Sequence, residues 1–168
     1  MVLPLEPYCQ TIDELQGLAE RGDKYAQYEL GIIYQDGDGI AQDPLKAKQW
    51  LFKAASQHLP EAQYEIGLIY YSDEDRDVDH ARALRWFELG ALQNHAGSQN
   101  MLGTMYYRGE GTTINYQKAL KWFKKAAVAG NSEAQFNLGW MYYHGQGVYT
   151  NKTVAAHWVK TSMDSGNK

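Results

Sequence analysis

A six-residue block recurs four times at one spacing, and this periodicity restricts the chain to a repeat architecture. The copies begin at residues 26, 62, 98 and 134, so the period is 36 residues with no insertion. Five columns are identical in all copies: Gln27, Gln63, Gln99 and Gln135; Gly31, Gly67, Gly103 and Gly139; Tyr34, Tyr70, Tyr106 and Tyr142; Ala47, Ala83, Ala119 and Ala155; Trp50, Trp86, Trp122 and Trp158. Such periods are typical of solenoids, in which each unit buries its apolar face against its neighbours.

Each unit contains the pattern of two helices. In the first copy Ala26, Leu30 and Ile33 recur at helical spacing, and the glycine-rich turn 37–39 follows them. Glycine just after a helix supplies a positive φ at low cost. The second helix is then predicted to begin at a column of good N-cap residues, which comprises Asp43, Asp79, Asn115 and Asn151.

The glycine column lies in the middle of the first helices, where glycine costs about 1 kcal/mol relative to alanine. A helix without a Cβ at that position can admit a large ring from its partner helix. We therefore predict that each column tryptophan packs over the glycine of its own unit, as Trp50 over Gly31. These contacts would hold the helical hairpins together.

The recurring motifs Ala-Gln-x-x-Leu-Gly-x-x-Tyr, Gly-x-Gly and Ala-x-x-Trp resemble the Sel-one-like repeat (SLR) family, a branch of the tetratricopeptide-like helical repeats. The resemblance covers residues 26–166. It implies an all-α fold, a right-handed α/α superhelix that binds other proteins and performs no chemistry. Copy two departs from the pattern, because the acidic segment 72–79 replaces the Gly-x-Gly turn.

The predicted organisation is an N-terminal tail with a capping helix over residues 1–25, followed by a single solenoid domain over 26–168. The four repeats span 26–61, 62–97, 98–133 and 134–168. Thr11 and Glu14 have the spacing of a capping box, which indicates where the capping helix begins.

Composition limits the class of protein. With 168 residues the chain is about one domain long, and no run of 18 apolar residues predicts a membrane span. The single cysteine, Cys9, excludes an internal disulfide. The first residues lack the basic and apolar blocks of a secretory signal. We expect a cytoplasmic protein if this start is native, and a periplasmic one if a signal peptide has been removed.

Charge is unevenly distributed along the chain. Residues 1–97 hold 17 acidic and 8 basic residues, a net charge of −9, whereas residues 98–168 hold 3 and 8, a net charge of +5. This polarity would steer a partner of opposite charge or favour self-association; alternatively, surface charge simply drifts along the molecule. A run of lysines at 118, 121, 124 and 125 is interpreted as the solvated face of an amphipathic helix, so no nucleic-acid partner is expected.

Motifs for chemistry are not found in the sequence. The five histidines lack metalloprotease spacing, the glycine pairs fail the dinucleotide pattern, and no nucleophile elbow occurs. We therefore expect no enzymatic activity, no cofactor and no metal. In the acidic turn 73–79, Asp73, Asp75 and Asp77 alternate as in a calcium loop, but Val78 stands where an EF-hand needs glycine. A weak cation site, a solvated turn and a patch for a basic partner all stay open.

The first helices supply the candidate binding surface. In repeats of this family they line the concave groove, and the face turned away from the second helix varies between copies yet stays rich in aromatic residues. Tyrosine and tryptophan are common anchors in protein interfaces. For some of these rings the alternative is packing between adjacent repeats. The predicted partner-binding residues are Tyr28, Ile32, Gln35, Tyr64, Leu68, Tyr71, Asn100, Thr104, Tyr107, Arg108, Phe136, Trp140, Tyr143 and His144.

These observations predict a non-enzymatic adaptor or scaffold that holds a protein partner in an aromatic groove. The alternative comes from the family resemblance, because similar short repeat proteins serve as bacterial immunity proteins. In that role the chain would neutralise a secreted (type VI) lipase or another toxin effector by blocking its active site.

Overall fold

The structure, a computed structural model, describes residues 11–72 and 78–166. Within these ranges the chain forms helices and turns and no strand, which confirms the all-α class. The helices are α1 (Ile12–Glu20), α2 (Lys24–Asp36), α3 (Pro44–Ser56), α4 (Pro60–Tyr71), α5 (His80–Leu92), α6 (Ala96–Arg108), α7 (Tyr116–Val128), α8 (Ser132–His144) and α9 (Lys152–Gly166). The calcium-like positions Asp73, Asp75 and Asp77 lie outside the described residues.

The helices belong to two compact units, one ending at Ala62 and the other beginning at Gln63. In the first unit α1 packs on α2, and α2 packs on α3. In the second unit the helices from α5 to α9 pack successively, each on the next. Packing between consecutive elements is what a repeat architecture requires. The single-domain boundaries given above stay a prediction.

The ends of the helices follow the sequence prediction. In each second helix the N-cap side chain accepts a hydrogen bond from a backbone N–H of the first turn. The donors and acceptors are Lys46 and Asp43 at 3.0 Å, Arg82 and Asp79 at 2.9 Å, Lys118 and Asn115 at 2.9 Å, and Val154 and Asn151 at 3.0 Å. Three first helices end at left-handed glycines, Gly37, Gly109 and Gly145. Thr11 and Glu14 form the predicted capping box of α1.

The prediction that tryptophans cover the mid-helix glycines is wrong. The residue after each tryptophan makes that contact. The distance from a Cβ built on each glycine to the nearest atom of the facing side chain shows this contact. It is 2.7 Å for Gly31 and Leu51, 2.5 Å for Gly67 and Phe87, 2.7 Å for Gly103 and Phe123, and 2.8 Å for Gly139 and Val159. One residue turns the helix by about 100°, so the second helix presents the neighbouring side chain to the glycine.

The tryptophans lie instead at the margin of the core, where all four are half-buried. Lys53 Nζ lies 3.7 Å from the ring centroid of Trp50, and Lys125 Nζ lies 4.6 Å from that of Trp122. These distances fit cation–π contacts on the outer side of each indole. The tryptophans therefore shield the core from solvent, while the residues that follow them fill it.

Three glutamines of the column connect a first helix to the helix before it. Nε2 donates to the carbonyl eight residues earlier: Gln27 to Ala19 at 3.0 Å, Gln99 to Ala91 at 3.2 Å and Gln135 to Ala127 at 3.1 Å. Those carbonyls belong to last helical turns, and each also accepts a backbone N–H from the turn that follows. The buried amide therefore adds a second hydrogen bond at each helix end and ties the next repeat to it.

No helix within residues 11–72 and 78–166 combines the length and the apolar character that crossing a membrane requires.

Candidate partner-binding groove

In the second unit, tyrosines at the ends of first helices bind the turn of the following repeat. Tyr71 Oη donates to Glu110 Oε2 at 2.8 Å, and Tyr107 Oη donates to Gln146 Oε1 at 3.0 Å. Glu110 and Gln146 are the middle residues of two Gly-x-Gly turns. Both bonds span 39 residues, so they are the same joint in successive repeats.

The second glycine of each turn packs on the start of the preceding second helix. Gly111 has a φ of +67°, and a Cβ there would collide with the carbonyl oxygen of His80. Gly147 has a φ of +70°, and its Cβ would lie 2.7 Å from the carbonyl oxygen of Tyr116. Glycine is required at both positions because of the positive φ and because backbone approaches backbone.

Some residues predicted to bind a partner therefore also have a structural role. Tyr64, Leu68, Tyr71 and Tyr107 all pack against the core of the second unit. Burial raises the pKa of the Tyr71 phenol, and the hydrogen bond and charge of Glu110 raise it further. Burial likewise raises the pKa of Tyr64, with smaller contributions from Glu65 and Glu133. The rings of Tyr64, Tyr71 and Tyr107 thus pack within the repeat array, which is the alternative to partner binding that the sequence leaves open.

The corresponding face of α8 is open to solvent. Phe136, Trp140 and Tyr143 are 49%, 46% and 54% exposed. Their rings form a continuous row with His144: the Phe136 and Trp140 centroids are 6.5 Å apart, those of Trp140 and His144 are 4.2 Å apart, and those of Tyr143 and His144 are 5.0 Å apart. An exposed aromatic row of this kind marks an interaction surface more often than a random surface does.

Three cavities meet at Phe136. One of about 330 Å³ contains Thr104, Tyr107, Arg108, Asn137 and Trp140 in its wall. A second of about 550 Å³ adds Tyr71 and Asn100, and a third of about 420 Å³ adds Tyr143 and His144. We call this surface the aromatic groove and define it as Tyr71, Asn100, Thr104, Tyr107, Arg108, Phe136, Asn137, Trp140, Tyr143 and His144.

The groove brings together nine of the residues predicted from the sequence, and Asn137 is the addition. Tyr64 and Leu68 lie in the same unit but pack on the core instead of lining a cavity. Tyr28, Ile32 and Gln35 are half-buried residues of the first unit. The partner-binding role of the whole set stays a prediction.

Asn137 follows Phe136 on α8, one step further round the helix than the positions considered in the sequence. Its Nδ2 donates to Asn100 Oδ1 at 3.3 Å, and Asn100 Nδ2 donates to Glu133 Oε2 at 3.0 Å. Asn100 is buried by this network. A polar residue beside a predicted surface ring was the signal that could have identified Asn137.

The two ends of the groove differ in chemistry. At one end Arg108 donates to Tyr71 Oη at 3.2 Å and lies 3.7 Å from Glu110. Its side chain nevertheless remains largely exposed. At the other end the surface is the aromatic row. Such an arrangement can hold an apolar side chain and a nearby acidic group of a bound segment. Among the described residues, no three His, Cys, Asp or Glu side chains come close enough to hold a metal ion.

The chain belongs to the Sel1 repeat family. The Sel1 repeat model matches residues 24–59, 60–95, 96–131 and 132–167. The architecture is therefore an all-α solenoid, as predicted. Sel1 repeats form a non-enzymatic scaffold and suggest protein–protein interaction. The comparison with curated proteins gave no match.

Solved structures of the same fold include a protective antigen present in uropathogenic Escherichia coli strains, which displays an SLR fold. It is 38% identical with a TM-score of 0.87, over 92% of this chain and 33% of that one. A Sel1 repeat protein from Oxalobacter formigenes is 27% identical with a TM-score of 0.87, over 93% of this chain and 62% of that one. This chain thus spans less than two thirds of either protein.

A more distant likeness is to an immunity protein from Pseudomonas aeruginosa. It is 20% identical with a TM-score of 0.53, over 92% of this chain and 73% of that one. At this identity the likeness shows the fold alone.

Proposed function

We propose that this chain is a non-enzymatic adaptor that binds a protein partner through the aromatic groove. The supporting observation is the exposed row on α8. Phe136, Trp140 and Tyr143 are about half exposed, although the same faces of α4 and α6 are used for packing between repeats. Large rings half open to solvent can bury much additional apolar area when a partner docks.

The groove favours a segment that carries an apolar side chain and an acidic group. The apolar side chain would lie against Phe136 and Trp140, and the acidic group would pair with Arg108. Thr104 and Asn137 line the same cavity as Arg108, Phe136 and Trp140, and their polar side chains can bond to a peptide backbone. Few residues usually supply most of the affinity of such an interface.

The double variant Phe136→Ala and Trp140→Ala tests this function. Partners are captured from lysate of the source cell with the unaltered chain, identified, and titrated against each variant by calorimetry. We expect the double variant to weaken binding at least about tenfold, because it removes both anchors. Tyr149→Ala is the control, since Tyr149 is 95% exposed and lies outside the groove. Equal affinity of the double variant and the control would contradict the proposal.

We propose the immunity function as a second candidate, because the Pseudomonas aeruginosa immunity protein has the same fold. It rests on the same groove with a toxin as partner. Stoichiometric inhibition of a secreted lipase, lost in the Phe136→Ala and Trp140→Ala variant, is the expected result. Capture of only non-toxic partners, with no inhibition, would leave the general adaptor function standing and refute the immunity function.

A further inference from the structure

Two repeats lack a side chain that the other two use to complete the buried glutamine column. In the first unit Gln57 Nε2 donates to Gln27 Oε1 at 2.8 Å, and in the second unit Gln93 Nε2 donates to Gln63 Oε1 at 2.8 Å. The third repeat has Ala129 at this position and the fourth has Ser165, and Gln135 Oε1 of the fourth repeat also lacks a hydrogen-bond partner among the described residues. Gln99 is 2% exposed, and its Oε1 has no hydrogen-bond partner among the described residues.

In the third repeat a cavity adjoins both Ala129 and Gln99. It measures about 450 Å³ and is bounded by Gln99 and Ala129 together with an exposed valine and three lysines of α7. We call it the lysine notch and define it as Asn94, Gln99, Lys121, Lys124, Lys125, Val128 and Ala129. None of these residues belongs to the aromatic groove.

No ion pair among the described residues involves a lysine of the notch. The ion pairs found within residues 11–72 and 78–166 join Lys46 to Asp43, Arg82 to Asp79 and Arg108 to Glu110. Lys121 and Lys125 lie instead 6.0 Å and 4.6 Å from the ring of Trp122. The notch therefore presents net positive charge around a buried acceptor that needs a donor.

A ligand that fits must supply both an anion and a hydrogen-bond donor. An acidic peptide has carboxylates for the lysines and an amide N–H for the buried oxygen. In DNA the N–H groups belong to the bases and the anions to the backbone, whereas a peptide has an N–H in the same backbone that bears its carboxylate side chains. We propose that the lysine notch binds an acidic segment of a protein partner, with an amide N–H of that segment donating to Gln99 Oε1.

The test titrates the full chain with a fluorescein-labelled peptide of alternating glutamate and glutamine, followed by anisotropy at low salt. Ala129→Gln restores the amide of the first two repeats and fills the notch without changing charge. Lys121→Gln with Lys124→Gln removes two charges from the notch, and Lys118→Gln with Lys160→Gln removes two elsewhere. We expect the first two changes to weaken binding at least about tenfold each and the last to change it less than about threefold.

Four outcomes would overturn the proposal. Unchanged affinity of the Ala129→Gln variant, or equal weakening by the two lysine pairs, would mean diffuse charge attraction without a site. Absence of peptide binding to the unaltered chain would refute the site directly. Tighter binding of a single-stranded oligonucleotide that displaces the peptide would assign the notch to nucleic acid. Thermal unfolding of each variant, monitored by circular dichroism, verifies that the folded chain is being compared.

Discussion

The same repeat position has different uses in α6 and in α8. Tyr107 of α6 donates to Gln146 in the turn of the next repeat and packs on the core. Tyr143 lies 36 residues later at the matching position, and it is 54% exposed. A ring at this position therefore joins two repeats where the turn of the next repeat packs on it, as at Tyr107. At Tyr143 no turn among the described residues does so, and the ring is available to a partner.

The largest expected effect comes from breaking the joint at Gly111. Gly111→Ala should destabilise the protein by roughly 3 kcal/mol, because it adds a backbone collision to an unfavourable positive φ. Gly130→Ala is the matched control, since Gly130 has a φ of +91° but nothing within 4 Å of the added Cβ. The control should lose only about 1 kcal/mol. Urea unfolding measures both, and equal losses would mean that the turn does not press on α5.

A smaller effect separates the two tyrosines directly. Tyr107→Phe should lose about 1 kcal/mol, because it removes the hydrogen bond to Gln146 and leaves the ring in place. Tyr143→Phe should change stability by less than about 0.5 kcal/mol, as expected for an exposed side chain. Chemical denaturation at neutral pH measures the pair. A matching loss at Tyr143 would show that its hydroxyl is also structural.

The smallest expected effect is a dependence on alkaline pH. The pKa of Tyr71 is raised from its usual 10.0 by burial and by Glu110, so the folded state holds the phenolic proton more tightly than the unfolded state. Stability from this group is full below pH 10.0 and is lost as the pH rises through the raised value. Tyr71→Phe should therefore flatten the fall in melting temperature above this pH. Tyr149→Phe, a change at a fully exposed ring, should leave the slope as it is.

The repeat period, the helix ends and the capping box could be predicted because each depends on residues close together in the chain. The rotation of the second helix could not. Trp86 and Phe87 are both large and apolar, and the tryptophan column is identical in every copy whereas the next column varies. The column that is identical in all four copies is therefore predicted to contact the glycine, although the variable column makes that contact. Only the packing of two helices decides which of two adjacent side chains meets Gly67.

The candidate groove was predictable as a helix face but not in its division of roles. The face is local, so Phe136, Trp140 and Tyr143 could be recognised from their spacing. The bonds from Tyr71 to Glu110 and from Tyr107 to Gln146 join residues 39 positions apart. Nothing near either tyrosine in the sequence indicates such an acceptor.

The joint has a consequence for how such chains change length. Each tyrosine bond and each glycine contact involves only two adjacent repeats. Duplication of the third 36-residue block, which carries both a Gly-x-Gly turn and a tyrosine, would preserve the joints, because it leaves the distance from tyrosine to acceptor unchanged. Loss of a single residue inside a helix would rotate one face away from its partner. Genetic change in this molecule is thus tolerated in whole blocks, and its length can evolve separately from its contacts.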